Sequence, residues 1–212
     1  MPATNSAETV SPAAANQPLS ELLKSATRAV HEALDQRLMT LQPFANVENY
    51  RCFLRMQARL QCVTSPLFHN PQLQAWIADL DQRDRWVAVM RDCADLQIPA
   101  EQCEVDRRAA TALTIDDPYR ALGWLYTVEG SNLGAAFLLK MAKADLGLSE
   151  QHGARHMAGA AEGRGLAWRR FKADLDALAL TDEQRQLAVT GADEAFAYVQ
   201  ACVDEVFEPA TA

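Results

Sequence analysis

The chain has 212 residues, with 20 lysines and arginines against 28 aspartates and glutamates, for a formal net charge of −8. That length suits one sizeable domain, and 49% hydrophobic with 23% charged residues excludes wholesale disorder. The acidic balance argues against broad binding to nucleic acid or anionic membranes.

Residues 1–18 are rich in Ala, Pro, Ser and Thr and read as a disordered arm. They contain neither the basic nor the apolar region of a secretory signal. From Leu19 the spacing predicts a helix through Leu22, Leu23, Ala26, Ala29, Val30, Ala33, Leu34 and Leu38, with Ser20 as its cap. Pro43 interrupts, and Asn46 caps a second helix that Pro66 and Pro71 bring to an end. Shorter helices are expected around 72–80 and 83–97, and Ile98-Pro99 opens a loop to about Asp117. Asp117 followed by Pro118 predicts a strong helix start. The apolar pattern then runs from Ala121 through Leu146 to a stop at Gly147. A loop with at most one helical turn covers 148–164, a helix follows over about 165–178, and the Thr181–Gln184 capping box starts a last helix to about Phe207. Residues 208–212 form a tail. The expected architecture is all-α and single-domain over 19–207. No apolar run approaches the roughly 18 residues of a membrane span. The five cysteines lack a Cys-x-x-Cys pair and read as buried free thiols, so the expected setting is the cytoplasm.

Two stretches stand out. His31 follows Lys24 by seven residues, which at about 100° per residue brings both to one helix face, separated by about 10 Å along the axis. Such a pair suits a flat ligand bound through its centre and held at an acidic edge. On spacing alone, an ordinary helix histidine is the simpler reading. The second stretch is Gly123-Trp124-Leu125-Tyr126-Thr127-Val128-Glu129-Gly130-Ser131-Asn132-Leu133-Gly134-Ala135-Ala136-Phe137, in which Gly123, Thr127, Gly130 and Gly134 form a stripe of small residues. Each interior glycine costs about 1 kcal/mol relative to alanine. Either another helix packs against the bare backbone, or a flat ligand lies there. His152 and His156 share a four-residue spacing but no His-Glu-x-x-His motif, which makes metal binding there a weak reading. His69 suits a helix C-terminus.

Together, Thr27-Arg28-Ala29-Val30-His31-Glu32-Ala33-Leu34 and the glycine-rich stretch resemble the bacterial heme oxygenases. The likeness continues in Phe137–Lys140, Gly153–His156 and Gly191–Phe196 and covers about 20–207. It implies a helical fold that holds heme between a proximal and a glycine-bearing distal helix. It also implies cleavage of heme by O2 and electrons to biliverdin, carbon monoxide and ferrous iron. His31 is then the proximal iron ligand, with Gly130, Ser131 and Gly134 against the other face. Many members carry aspartate where this chain has Ser131, whose hydroxyl can still join a water network. Lys24 and Tyr126 match residues that hold the heme carboxylates in α-cleaving members. Met39 and Met141 occupy the places where another subgroup uses lysines, so the expected product is mainly biliverdin IXα. Lys172 is either a further carboxylate contact or, like Arg169 and Arg170, part of a solvated face. Phe196 packs beside the macrocycle or in the core. The implied electron donor is an external ferredoxin or flavoprotein reductase. The rival reading is a heme carrier or sensor with the same pocket and no turnover.

Overall fold

A computed structural model describes residues 17–207. The expected arm falls almost wholly outside this range, as do residues 208–212. Eight α-helices follow in order: α1 (Leu19–Thr40), α2 (Val47–Phe68), α3 (Pro71–Trp76), α4 (Trp86–Asp95), α5 (Ala100–Thr111), α6 (Pro118–Leu146), α7 (Arg164–Asp176) and α8 (Asp182–Phe207). Single 3-10 turns cover Leu80–Arg83 and Arg155–Met157. Among the described residues there is no strand, only isolated bridges at Ser149. No described helix is long and apolar enough to cross a membrane.

The signals for helix starts hold at three of the four expected caps. The Asn46 side chain accepts from Asn49 N at 2.9 Å, and Asp117 accepts from Tyr119 N and Arg120 N ahead of Pro118. Thr181 and Gln184 exchange side-chain-to-backbone bonds as a capping box does. Gly147, at φ 68°, ends α6 in the left-handed conformation that glycine adopts freely. Ser20 is the exception. It lies inside α1, is buried, and donates from N and Oγ to the two carboxylate oxygens of Asp176, each at 2.8 Å. Its hydroxyl ties the start of α1 to the end of α7. Helix α2 also runs on past Pro66 to Phe68.

Residues 98–117 depart most from expectation, because α5 occupies most of that span. Its buried face carries Asp106 and Ala110 rather than large apolar residues, so no hydrophobic period shows in the sequence. Asp106 accepts from both Arg55 and Arg59 of α2, with Nε–carboxylate distances of 2.8 Å. Charge-assisted bonds there replace the apolar stripe that normally seats a helix. In α1, only part of the expected stripe is buried. Leu19, Leu23 and Leu34 face the core, whereas Ala26, Ala29, Val30 and Ala33 face solvent.

The centre of the fold is the crossing of α6 over α8. A Cβ on Gly123 would stand 2.0 Å from the Ala188 carbonyl oxygen, and one on Gly191 would stand 2.1 Å from the Arg120 carbonyl oxygen. The two backbones therefore touch through reciprocal glycines, and Trp124 fills the space beside them against Tyr198. Neither obstacle is a side chain that can swing away. Gly123→Ala and Gly191→Ala should each cost at least about 2 kcal/mol by forcing the helices apart, against the helix-propensity gain of about 1 kcal/mol that alanine brings elsewhere. Urea denaturation measures this, and an unchanged midpoint would contradict the close crossing.

Candidate functional site

Helices α1 and α6 both pack on α8 but barely meet each other. Beyond Gly123, the glycine stripe of α6 no longer touches a helix backbone. A Cβ on Gly130 would rest 3.6 Å from Cη2 of Trp168, an ordinary contact, and one on Gly134 would meet nothing within 4 Å. Phe137, one turn further along that face, is 60% exposed. The two readings of the stripe thus divide along its length. Gly123 is explained by helix packing, and Gly130 and Gly134 are not.

His31 lies on α1 with its side chain about half exposed, Nδ1 3.4 Å from a carboxylate oxygen of Asp35 on the next turn. The edge of its ring meets the buried ring of Phe196 on α8 in a T-shaped contact with centroids 5.8 Å apart. Ser131 is exposed, and its Oγ donates to the Val128 carbonyl at 2.7 Å. That bond occupies the hydroxyl proton and leaves the oxygen free to accept.

The three other side chains singled out in the sequence gather around one carboxylate, Glu21, which the sequence reading did not select. Lys24 Nζ stands 3.8 Å from one of its oxygens and Lys172 Nζ 3.9 Å from the other. Tyr126 is buried against Trp168, with ring centroids 5.3 Å apart. Burial, with Glu21 and Asp176 nearby, pushes its phenol up to about 12. It therefore stays protonated and able to donate a hydrogen bond throughout the physiological range. Arg169 and Arg170 are exposed, Arg170 lying 3.7 Å from Glu162.

Beside α6 is a cavity of about 390 Å³ whose lining includes Arg83, Arg85, Glu129, Asn132, Arg164 and Trp168. Glu129 is buried and paired with Arg83 at 2.7 Å. Desolvation raises its carboxyl above the ordinary glutamate range, against the opposing pull of Arg83 and Arg85. Arg164 donates to the Asn132 carbonyl at 2.9 Å and so grips α6 in its glycine-rich stretch. His152 and His156 do not share a helix face. His152 sits in a turn with its side chain mostly exposed, and His156 is buried on the Arg155–Met157 turn, its N and Nδ1 both bonded to Asp92. Among the described residues no group of three or more potential metal ligands converges. His69 lies at the end of α2, 2.9 Å from Asp84.

A histidine-bearing helix and an open glycine helix, both resting on a third, with Lys24, Lys172 and Tyr126 near Glu21, make up an all-helical frame that matches one family. The chain belongs to the heme oxygenase family, whose sequence profile matches residues 60–205. It is 37% identical over 190 residues to the heme oxygenase PigA of Pseudomonas aeruginosa, an alignment that covers 89% of this chain and 93% of that protein. The NO- and CO-bound heme oxygenase of Neisseria meningitidis superposes with a TM-score of 0.79 at 37% identity, covering 92% of this chain and 95% of that one. The heme oxygenase of Leptospira interrogans shares the fold at 15% identity, with a TM-score of 0.72 over 89% of this chain and 100% of that one.

The Arg83–Glu129 pair yields a test with a sign. Arg83→Met keeps most of the volume but strands a buried carboxylate, a change that typically costs about 3–5 kcal/mol. Because burial raises the folded-state affinity of Glu129 for its proton, stability is greatest below the ordinary glutamate range and falls as pH rises through the raised value. Without Arg83 that fall should steepen. Urea denaturation between pH 5 and pH 8 should show the deficit shrinking toward pH 5, and a deficit constant with pH would remove Glu129 as its cause.

Proposed function

We propose that this chain binds heme as its substrate and cleaves it with O2 and externally supplied electrons to biliverdin, carbon monoxide and ferrous iron. His31 is the proximal ligand in this reading. What carries it is a histidine on α1 and an unobstructed glycine face on α6, both helices packed on α8, together with the cluster of Lys24, Lys172 and Tyr126. The setting is the cytoplasm, and the electron donor is a ferredoxin or flavoprotein reductase.

The chemistry of the residues fits such a ligand. Contact of Nδ1 with Asp35 favours the tautomer that leaves Nε2 free to bind a metal. Phe196 limits the swing of the imidazole by its edge contact. Gly130 and Gly134 leave room for a macrocycle and a diatomic gas, where any larger side chain would intrude. Ser131 Oγ accepts a hydrogen bond from water, because its own proton is engaged by Val128. Bound heme supplies the iron that activates O2 and the porphyrin edge that is oxidised. Lys24, Lys172 and the neutral Tyr126 phenol supply donors for the two heme carboxylates, and charge-assisted bonds of this kind fix orientation as well as affinity. Neither Met39 nor Met141 can compete for a carboxylate, so this seating favours the IXα product.

Hemin titration should produce a Soret band, and aerobic electron supply should then convert it to a bile-pigment spectrum. A Soret band that persists under full electron supply would instead identify a heme carrier. His31→Ala should abolish turnover while heme still binds by burial, and added imidazole should restore the axial spectrum. An unaltered spectrum in that variant would reassign the ligand. Chromatography of the product should give mainly the IXα isomer, with the preference weakened by Lys24→Asn combined with Tyr126→Phe. A mainly β or δ product from the unmodified chain would overturn the seating.

A further inference from the structure

In the cavity beside α6, three arginines share one buried carboxylate. Arg83 donates from Nη1 to Glu129 at 2.7 Å and from Nη2 to the Ala167 carbonyl at 3.3 Å, but its Nε is buried with no hydrogen-bond partner in the protein. Arg85 donates to the Ala158 carbonyl at 2.7 Å, and Arg164 to the carbonyls of Asn132 and Met157. Among the described residues, neither Arg85 nor Arg164 forms an ion pair. The other acids of the lining are engaged elsewhere or lie in solvent. Asp84 accepts from Ser65 Oγ and Trp86 N and pairs with His69. Asp79 and Glu162 are exposed, with Glu162 beside Arg170. Burial pulls the Arg85 guanidinium below its usual value, and the charges of Arg164 and Arg83 add to the fall while Glu129 opposes it. The inner part of the cavity therefore holds three guanidinium groups against a single carboxylate.

We propose that this cavity is a binding site for a small oxyanion, a phosphate or carboxylate group held by Arg83, Arg85 and Arg164. Burying cations without counter-ions is costly, and an anion among them removes that cost. The planar guanidinium fork matches the oxygens of both groups, and Arg85 has most of its five N–H donors still to spend. The wall also includes Ala88, Leu133 and Trp168, which leave room for an organic body attached to the anion. Glu129 is the internal competitor: it holds Arg83 and repels an incoming negative charge. The site is separate from the glycine face. Glu129, Asn132 and Leu133 point about 120° around α6 from Gly130 and Gly134, at about 100° per residue. A bound anion would join the Arg83–Arg85 segment to α7 across the glycine-rich half of α6.

The test is calorimetric titration of the full chain, free of heme so that its carboxylates cannot take the arginines, at fixed ionic strength. Sodium phosphate and sodium acetate are the separate probes. At least one should bind at a single saturable site: phosphate alone assigns a phosphate ester, acetate alone an organic acid, and both an oxyanion site without preference. Arg85→Gln should weaken that binding about tenfold or more, the worth of a charge-assisted hydrogen bond. Glu129→Gln should strengthen it by a similar factor, because the competitor for Arg83 is gone. Arg169→Gln, at an exposed position outside the cavity, should change nothing. No saturable binding of either probe up to about 10 mM, or equal binding by Arg85→Gln and the unmodified chain, would overturn the proposal. Should Arg85→Gln fold poorly, Glu129→Gln decides alone, and unchanged or weaker binding there would sink it.

Discussion

Two glycines at the crossing of α6 and α8 set how closely those helices approach. Where α6 crosses α8, a Cβ on Gly123 would run into the backbone of Ala188 and Ala192, and one on Gly191 into the backbone of Arg120. No rotamer change can relax that contact, so the crossing is fixed more tightly than leucine packing would fix it. Some three turns further along α6, Gly134 faces nothing within 4 Å. Residues of one type, on one face of one helix, thus close a helix crossing at one end and leave the backbone bare at the other.

Around that crossing, buried ions hold the remaining elements in place. Asp106 seats α5 on α2 through Arg55 and Arg59, Glu129 binds Arg83 behind α6, and Asp92 collects the backbone of Arg155 and His156. Buried ion pairs seldom add much net stability, because desolvation consumes most of the Coulombic gain. They are strict about direction, however, and those at Glu129 and Asp92 fix elements that pack on α6.

Legibility in the sequence followed the kind of force at work. Helices whose faces are apolar, or whose ends carry Asn46, Asp117-Pro118 or the Thr181 capping box, could be read directly, because the signal lies within a few neighbouring residues. Helix α5 could not, since its buried face is a carboxylate whose partners are about fifty residues earlier in the chain. Ser20 looked like a cap because nothing nearby revealed Asp176, far along the chain at the end of α7. His31, Lys24, Tyr126, Lys172 and the open glycines could be named as candidates from spacing and family likeness. Glu21 and Trp168 could not, because only the packing of α1, α6 and α7 brings them to the same place.

Glu21 gives that cluster a property that a simple list of cations misses. It already serves as the counter-ion of Lys24 and Lys172, at 3.8 and 3.9 Å and partly in solvent. Exposed pairs at such distances are worth about 1 kcal/mol or less, so an incoming dicarboxylate can take over both lysines at little cost. A neutral ester of the same shape offers them nothing and leaves Glu21 in place. On the heme seating proposed above, the lysine cluster would act as an anion exchanger, sorting ligands by charge before the bare glycine face sorts them by flatness.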